Sequence, residues 1–342
     1  MLPFRLALLC SLVGLAATAA DARPTPPPPV CTSELEPCRL RDSAPVVATR
    51  NGQVIEGLRI VAVNRPAVLV RGLANVTIRN LEIFHEGAHG IVCERAPGLT
   101  IENVAISHSG AGTMSAEENN IDCDLADGLT VRNARLKGGA AGVYVHESAH
   151  VHLSYLEGYD FRGPTPRGML AQFNQSPYCR LEDFSAINDP KRARTEDNVS
   201  VYMSDHCVVR RGLLDGNNGP WSVGVMFEHS RNGLVEDVDT VHQGNGSFSA
   251  YPGYNVTFRR TRARDNICAD QGRGAPVSGG LVWAGSSDSG RLRIEDSTYF
   301  NLCNPKKVWD RASFDVIELA ERDFRPRAPI KLDFPWEHDD RR

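Results

Sequence analysis

Acidic, aromatic and imidazole side chains alternate with apolar residues in the stretch 119–147. Two short runs, 121–125 and 143–147, carry this alternation. A period of two residues is typical of a β-strand with one buried face, so the polar members of both runs are predicted to point outward together. Such a set can bind a polar ligand, hold a metal ion or transfer protons. Its members are Asp122, Asp124, Tyr144 and His146.

Similar runs recur along the chain in units of about 20 to 32 residues, a period that is typical of a solenoid. One set of runs ends in an asparagine that follows an apolar-Thr-apolar pattern, at Asn80, Asn103 and Asn133. No segment shows helical periodicity over a useful length. Because a single coil cannot bury its apolar face alone, the coils are predicted to stack around one core. The second strands of the coils are the runs 90–94, 121–124, 142–146, 170–174, 199–202, 224–228 and 281–284.

The asparagines that recur at one turn resemble the stacked asparagines of the pectate-lyase-like superfamily. The resemblance covers residues 46–324. It implies an all-β fold, a single-stranded right-handed parallel β-helix of about 9–10 coils with little helix. The alternative is a β-sandwich of regularly spaced strands, which gives no reason for asparagine to recur at the same turn.

The ends of the chain differ in composition from this repeat region. Residues 1–20 have one cation, an apolar run and a small-residue end, which predicts a signal peptide and a secreted or periplasmic protein. Residues 21–45 form a Pro-rich linker with a small cap closed by Cys31 and Cys38. Residues 325–342 are Pro-rich and charged, and we expect an extended tail.

Bulk composition excludes several classes of protein. The 342 residues are 41% hydrophobic and 23% charged, which is typical of a globular chain. The formal net charge is −4 with no dominant basic face, so we expect no nucleic-acid partner. After the first 20 residues no run approaches the roughly 20 apolar residues of a spanning helix, so we expect no membrane span. We also expect a monomer.

Eight of the nine cysteines remain after the predicted signal, an even count that suits an oxidising compartment. The coil register places several of them at the same position on successive coils. Neighbouring strands lie about 4.8 Å apart, which is within the Cα separation that a disulfide tolerates. We therefore predict the disulfides Cys31–Cys38, Cys93–Cys123, Cys179–Cys207 and Cys268–Cys303.

The outward positions of the second strands form a ladder of polar and aromatic residues. In the resembled superfamily this sheet forms the groove that binds polysaccharide, and aromatic residues there stack on sugar rings. The resemblance therefore implies a polysaccharide ligand and substrate-binding roles for Tyr144, Gln172, Asn174, Glu228 and Trp283. A solvated sheet face is the alternative for any one of these positions.

Basic loops are predicted to flank the middle coils. One loop carries Arg162 and Arg167, and another carries Lys191, Arg192 and Arg194. Cations beside the ladder suit an anionic sugar such as a uronate, whose carboxylate must be neutralised before its α-proton can be removed. Ordinary solubilising charge on the loops is the alternative.

The first candidate chemistry is β-elimination or C5 epimerisation of a uronate. His146 would be the base, and Tyr202 would be the acid or a second base. Arg192 or Arg194 would neutralise the carboxylate, and Lys191 would contact the substrate. His146 and Tyr202 lie two coils apart, or about 9.6 Å, which a sugar unit can fill.

The second candidate is a glycoside hydrolase, which needs two carboxyl groups at a defined separation. Glu94, Asp122 and Asp124 could supply them, with Asp124 in a catalytic role. Glu228 lies four coils from Asp124, about 19 Å, which is too far for a partner. The same cluster of Glu94, Asp122 and Asp124 could instead hold Ca²⁺; otherwise no cofactor is expected.

The third candidate is a non-catalytic cell-surface or adhesive protein that binds carbohydrate. The superfamily's subfamily motifs do not decide between the three candidates. The Gly-His-Gly of polygalacturonases is replaced by Ala-His-Gly at 88–90, and the Asp-Pro-His-Asp of alginate epimerases is reduced to Asp-Pro at 189–190.

Overall fold

The computed structural model describes residues 39–108, 117–163, 166–189, 193, 195–217, 223–266, 281–302 and 306–337. These residues contain no α-helix, and their 3₁₀ structure is limited to single turns such as Arg311–Ser313. The strands, in chain order, are β1 (Arg41–Ser43), β2 (Val46–Val47), β3 (Val54–Val63), β4 (Val68–Arg71), β5 (Thr77–Glu86), β6 (Ile91–Glu94), β7 (Thr100–His108), β8 (Ile121–Asp124), β9 (Thr130–Lys137), β10 (Val143–His146), β11 (His152–Tyr159), β12 (Ala171–Asn174), β13 (Arg180–Ile187), β14 (Val199–Tyr202), β15 (Val208–Asn217), β16 (Val223–Glu228), β17 (Ser230–Arg231), β18 (Leu234–Gln243), β19 (Gly246–Ala250), β20 (Gly253–Tyr254), β21 (Thr257–Arg259), β22 (Arg262–Arg264), β23 (Leu281–Ala284), β24 (Leu292–Phe300), β25 (Val308–Trp309) and β26 (Phe314–Glu321).

The strands form a parallel β-helix with two long sheets. One sheet has 13 strands and begins β1-β3-β5-β7-β9-β11, while the other has 11 strands and runs β2-β4-β6-β8-β10-β12-β14-β16-β19-β23-β25. Each coil therefore contributes a strand to both sheets in turn, and every pairing between coils is parallel. The predicted all-β solenoid is confirmed, and the ten steps between the 11 strands agree with the predicted number of coils.

Apolar side chains at alternate positions fill the space between the sheets. On β10, Val143 and Val145 are fully buried, whereas Tyr144 and His146 are partly exposed. The equivalent inward residues of the next coils stack on these valines, because strand β10 pairs in register with both β8 and β12. Stacking of like positions produces one continuous core along the axis.

A ladder of buried asparagines lies at the corner where the long strands bend. Asn80, Asn103 and Asn133 all have φ between 52° and 54°, a left-handed conformation that Asn tolerates better than other side chains with a Cβ atom. The amide of Asn103 donates to Asn80 at 3.2 Å, and that of Asn133 donates to Asn103 at 3.0 Å. The predicted ladder is confirmed, and its bonds fix which residue of each coil occupies the corner.

Further along the axis, ion pairs between aspartate and arginine side chains stabilise the same corner. Asp183 and Arg211 have the corner conformation and are joined by two bonds of 2.7 and 2.8 Å. Asp237 and Arg260 repeat the arrangement two coils later, with both bonds at 2.8 Å. Bidentate pairs of this kind are stronger than neutral hydrogen bonds, so they replace the amide ladder without loss of register.

Two of the predicted disulfides are confirmed. Cys93 pairs with Cys123 across β6 and β8, and Cys179 pairs with Cys207, with Cα atoms 4.5 and 4.6 Å apart. Both join adjacent coils at equivalent positions. The predictions that involve Cys31, Cys38, Cys268 and Cys303 lie outside the described residues, as does the predicted signal peptide.

Residues 325–334 are extended and, with residues 335–337, pack against the 13-stranded sheet. This segment crosses the outer face of that sheet from β18 back towards β9. Its backbone N–H groups donate to Asp239, Ser185 and Glu157 in turn, at 2.7, 3.0 and 2.9 Å. Arg135 on β9 closes the contact by bonding Leu332 and Glu337. The segment therefore straps five coils together.

Alternate residues of this strap point into the sheet. Phe334 and Trp336 stack at 4.8 Å, and the guanidinium of Arg135 lies 5.0 Å from the Phe334 ring centroid. Together with Leu40, Ala105 and Tyr155 they form a second apolar cluster outside the main core. Its buried members are Ile330, Leu332, Phe334 and Trp336.

Replacement of Trp336 by alanine is expected to lower the free energy of unfolding by about 3–5 kcal/mol, because a side chain that is 3% exposed leaves a cavity. Urea unfolding followed by circular dichroism measures this change. Trp309→Ala is the matched control, because Trp309 is 42% exposed and its loss should cost less than about 1 kcal/mol. Equal effects of the two variants would show that the strap contributes no packing energy.

Candidate functional site

The outer face of the 11-stranded sheet carries two columns of side chains. Pairing in register places like positions of β8, β10, β12, β14 and β16 directly over one another. The first column contains Asp122, Tyr144, Gln172, Ser200 and Met226. The second column contains Asp124, His146, Asn174, Tyr202 and Glu228.

Asp124 and His146 form a hydrogen-bonded pair on adjacent strands. Nδ1 of His146 lies 2.7 Å from Oδ1 of Asp124, and Nε2 lies 3.4 Å from the amide nitrogen of Gln175. A carboxylate only accepts hydrogen bonds, so Nδ1 carries the ring proton, and Nε2 accepts from the Gln175 amide. This assignment puts the Nε2 lone pair at the surface of the groove, where its one hydrogen bond in the described structure is the long contact from Gln175.

Tyr202 lies two strands from His146 in the second column. Asn174 stands between them and donates to the hydroxyl of Tyr144 at 3.0 Å. The hydroxyl of Tyr202 has no hydrogen-bond partner among the residues that the structure describes. Its ring meets His229 edge-on at 6.0 Å. An imidazole and a phenol therefore lie on either side of Asn174, with a gap of about 9.6 Å between their strands along the column.

Arg167 is the cation that the described structure places beside this gap. Its guanidinium carbon lies 4.1 Å from the ring centroid of Tyr144, and Nη1 is 3.5 Å from Oε1 of Gln172. Nε of Arg167 is buried without a hydrogen-bond partner in the described part of the chain. The sequence singled out the loop that carries Arg167. The predicted neutralisers Arg192 and Arg194, with the predicted ligand-binding Lys191, lie outside the described residues.

Carboxyl groups with raised pKa values lie at the other end of the second column. Burial raises the pKa of Glu228. Burial and the charge of Glu228 raise the pKa of Glu196, and the cation of Arg167 acts against this rise. Full burial raises the pKa of Asp197 well above its ordinary value, even though Asp197 accepts a hydrogen bond from the Val223 backbone N–H at 2.8 Å. No motif or spacing in the sequence predicted that the charge of Glu228 would act on Glu196.

The residues predicted to hold Ca²⁺ each have a different protein partner. Glu94 is paired with Arg71 at 2.6 and 2.7 Å, and Asp122 accepts from Asn119 at 2.8 Å. In the described part of the chain, ligand atoms converge within 4.8 Å at Asp124, His146 and Glu147 instead. An imidazole with two carboxylates suits a transition metal better than Ca²⁺, which prefers oxygen ligands alone.

Trp283 does not lie on the outer face, and its prediction as a groove residue is wrong. It pairs with Phe248, an inward residue of β19, and is fully buried, with Nε1 donating to Thr261 at 3.1 Å. On β23 the predicted assignment of inward and outward residues was shifted by one position. Two other aromatic residues extend the columns at this end, one of which, Tyr251, the sequence offered as a possible extension of the groove. These are Trp309 in the first column and Tyr251 in the second, which are 42% and 51% exposed.

The other predicted groove residues lie on the face. Tyr144, Asn174, Tyr202 and Glu228 are partly exposed, while Gln172 is largely buried at 8%. The arrangement as a whole is an open polar surface with a histidine near one end and carboxyl groups of raised pKa near the other. Its geometry suits a linear polar ligand.

The fold and this surface define the protein as a right-handed parallel β-helix. The sequence model of a right handed beta helix region matches residues 33–157. A comparison with curated proteins gives no match in sequence. None of the helical segments in the described residues has the length and hydropathy to cross a membrane.

Solved structures of the same fold are similar to this chain at low sequence identity. An alginate lyase from Paenibacillus sp. str. FPU-7 is 11% identical with a TM-score of 0.51, over 78% of this chain and 99% of the lyase. The Dettilon tailspike protein is 10% identical with a TM-score of 0.56, over 82% of this chain and 61% of the tailspike. A lacto-N-biosidase from Eubacterium ramulus is 10% identical with a TM-score of 0.50, over 80% of this chain and 61% of the enzyme. These likenesses establish the fold.

Asp197→Asn is expected to stabilise the protein at neutral pH. The folded state keeps the Asp197 proton at pH values where the unfolded chain has lost it, so stability falls as pH rises from about 3.8 towards the raised folded pKa. Asparagine stays neutral and retains an acceptor for the Val223 N–H. Urea unfolding of both proteins is measured from about pH 3.5, near the ordinary carboxyl pKa, to about pH 8. The quantity compared is the free energy of unfolding of the variant and of the wild type.

The stability gain of the Asn variant should be near zero at the acidic end and should grow with pH. Asp288→Asn is the control, because Asp288 is exposed and should give no such trend. A gain that is independent of pH would contradict the raised pKa of Asp197.

Proposed function

We propose that the protein acts on an acidic, uronate-containing polysaccharide by β-elimination or C5 epimerisation, with His146 as the base. The observation that carries this proposal is the hydrogen bond of 2.7 Å from Nδ1 of His146 to Asp124, which leaves Nε2 without a proton and facing the groove, where a substrate can displace the long contact from Gln175. The carboxylate orients the ring and stabilises the imidazolium that forms when Nε2 takes a proton. The second member of the site is Tyr202, two strands along the same column.

In the elimination, Nε2 of His146 takes the proton from C5 of the uronate. The electron pair of that C–H bond forms the C4–C5 double bond, and the C4–O bond breaks. The leaving oxygen takes a proton from the hydroxyl of Tyr202. In the epimerisation, the C4–O bond stays intact and Tyr202 instead returns a proton to the opposite face of C5. The two reactions therefore share a base and differ in what Tyr202 protonates.

Removal of the C5 proton places negative charge on the adjacent carboxylate, so that carboxylate needs a cation. Arg167 supplies one beside Tyr144, with Nε buried and unpaired in the described structure. A guanidinium can hold both oxygens of a carboxylate and so stabilise the enolate-like state. Arg192 and Arg194, the neutralisers predicted from the sequence, remain proposals for the same role, as does Lys191 for ligand binding.

The fold is compatible with this chemistry, since an alginate lyase shares it at a TM-score of 0.51. The two disulfides suit an oxidising compartment, and with them we propose that residues 1–20 direct secretion or export to the periplasm. The proposed reaction requires no cofactor. Ca²⁺ at Glu94, Asp122 and Asp124 remains the alternative.

Turnover is tested with alginate, pectate, glucuronan and glycosaminoglycan, each in deuterated buffer with and without chelator. Ultraviolet absorbance detects the unsaturated uronate, and NMR detects deuterium at C5 in an epimerised product. We expect one of these signals from the wild type, unchanged by chelator because Glu94 and Asp122 already have protein partners. His146→Ala should lower the rate by about 10²–10⁴-fold, the usual contribution of a general base.

His150→Ala is the matched control for this substitution. His150 is exposed on the turn after β10 and stacks on Tyr178 at 5.0 Å, away from the groove. Full activity of His150→Ala with loss in His146→Ala supports the assignment. Retained activity in His146→Ala would overturn it. Binding of a polysaccharide without either product would favour the non-catalytic carbohydrate-binding function.

A glycoside hydrolase is the second candidate, and the raised pKa values of Glu196 and Glu228 favour it. A carboxyl group that keeps its proton near neutral pH can protonate a glycosidic oxygen, and a second carboxyl group completes the pair. This pair takes the place of Glu94, Asp122 and Asp124, since Glu94 is neutralised by Arg71.

For the hydrolase, new reducing ends appear without ultraviolet absorbance, and the rate falls as pH rises through the raised pKa of the acid. Glu228→Gln should lower this rate by at least about 10²-fold, since glutamine has no proton of suitable acidity. Glu94→Gln is the matched control at the far end of the same column and should keep the rate. Equal rates of the two variants would exclude Glu228 as the acid.

A further inference from the structure

A cavity of about 440 Å³ opens on the turn that follows the 11-stranded sheet, next to the last rungs of the second column. The residues that matter for its chemistry are His229, Arg231, Tyr254 and Asp288. They include a cation, a carboxylate, an imidazole and a phenol. None of them belongs to the proposed reaction centre at His146 and Tyr202.

Backbone pairing fixes the wall of this cavity. Strand β17 pairs with β20 in a separate two-stranded sheet, in which Arg231 lies opposite Tyr254. The backbone N–H of Arg231 donates to Asp205 at 2.7 Å, and Tyr254 forms a further bridge to Gly290. The side chains that line the cavity therefore start from a rigid backbone, as a binding site requires.

The charged side chains of the cavity have no ionic partner in the described part of the chain. Arg231 and Asp288 form no ion pair with any residue that the structure describes. On the other sheet of neighbouring coils, by contrast, Arg259, Arg260 and Arg262 each reach a carboxylate at 2.7 or 2.8 Å. A cation and an anion that line one cavity without forming an ion pair can each bind a different group of one ligand.

Tyr254 supplies an aromatic surface that is held in place. Gly290 packs against its ring so closely that a Cβ atom there would lie 3.3 Å from Cε2. The guanidinium of Arg291 lies 5.6 Å from the ring centroid. The side chain is nevertheless 42% exposed. An immobilised, partly exposed ring with a polar hydroxyl can pack against the apolar face of a sugar at little entropic cost.

The cavity adjoins the groove through His229. This residue follows Glu228 directly, and its ring lies 6.0 Å from that of Tyr202. A polysaccharide that passes Tyr202 in the groove therefore comes within one sugar unit of the cavity mouth.

We propose that this cavity is a separate binding site for an acidic sugar unit. Arg231 binds its carboxylate through a charge-assisted bond, Asp288 accepts from its hydroxyl groups, and Tyr254 packs against its ring. The site would hold a branch or an adjoining unit of the chain that lies in the groove, and so select substrates that carry one. The choice of a uronate as the occupant rests on the proposed function. The cavity and its unpaired charges are observed independently of that function.

The test measures binding of sodium glucuronate and sodium galacturonate to the full chain by saturation-transfer NMR. Glucose and sodium sulfate are run beside them, to separate recognition of a sugar from recognition of an anion. The measurement is made in the Arg167→Ala background, so that binding in the groove does not contribute. We expect millimolar binding of at least one uronate and weaker binding of glucose and sulfate.

Arg231→Ala should weaken uronate binding at least tenfold, and Tyr254→Ala should weaken it while leaving sulfate unchanged. Arg95→Ala is the matched control, an exposed arginine on the same turn of the coil but at the other end of the sheet. Unchanged thermal midpoints verify that the variants fold. Binding that is insensitive to Arg231, or sulfate binding equal to that of the uronates, would overturn the proposal.

Failure of this proposal is distinguishable from failure of the proposed function. Arg231-dependent binding with no turnover of any polysaccharide would leave the cavity site standing without the lyase or epimerase. Turnover that depends on His146 with no Arg231-dependent binding would leave the reaction standing without this site.

Discussion

The register between successive coils depends on side chains stacked at the corner where each coil bends. Asn80, Asn103 and Asn133 bond one another through buried amides, and the pair of Asp183 and Arg211 continues the ladder with charges. A slip of one residue would turn every side chain of a strand to the other face of the sheet. The ladder therefore fixes both the packing of the core and the alignment of the two outer columns.

Once the register is fixed, the two outer faces of the helix differ in what covers them. The 13-stranded sheet carries ion pairs between coils, and the strap buries Phe334 and Trp336 against it. The face of the 11-stranded sheet keeps its polar columns partly exposed. Partly exposed side chains such as those of His146 and Tyr202 can therefore contact a ligand on this side.

The types of ionisable side chain on the open face differ between its two ends. A histidine held by Asp124 lies near one end, and Glu196 and Glu228, whose pKa values burial raises, lie near the other, with Arg167 between them. The groove therefore presents an imidazole, a guanidinium and carboxyl groups in order along its length. This order arises because each coil adds one residue to a column, so that position along the axis follows position in the sequence.

The sequence by itself determined the solenoid, the asparagine ladder, the two disulfides and the rung-by-rung order of His146 and Tyr202. All of these follow from side-chain periodicity, which repeats coil by coil because neighbouring coils are the main partners of each coil. Only the tertiary structure decided that Trp283 is buried, that Arg167 lies on Tyr144, that the charge of Glu228 raises the pKa of Glu196 and that the strap returns over β9. These features depend on loops of unequal length and on contacts between distant parts of the chain, and periodicity carries no information about either.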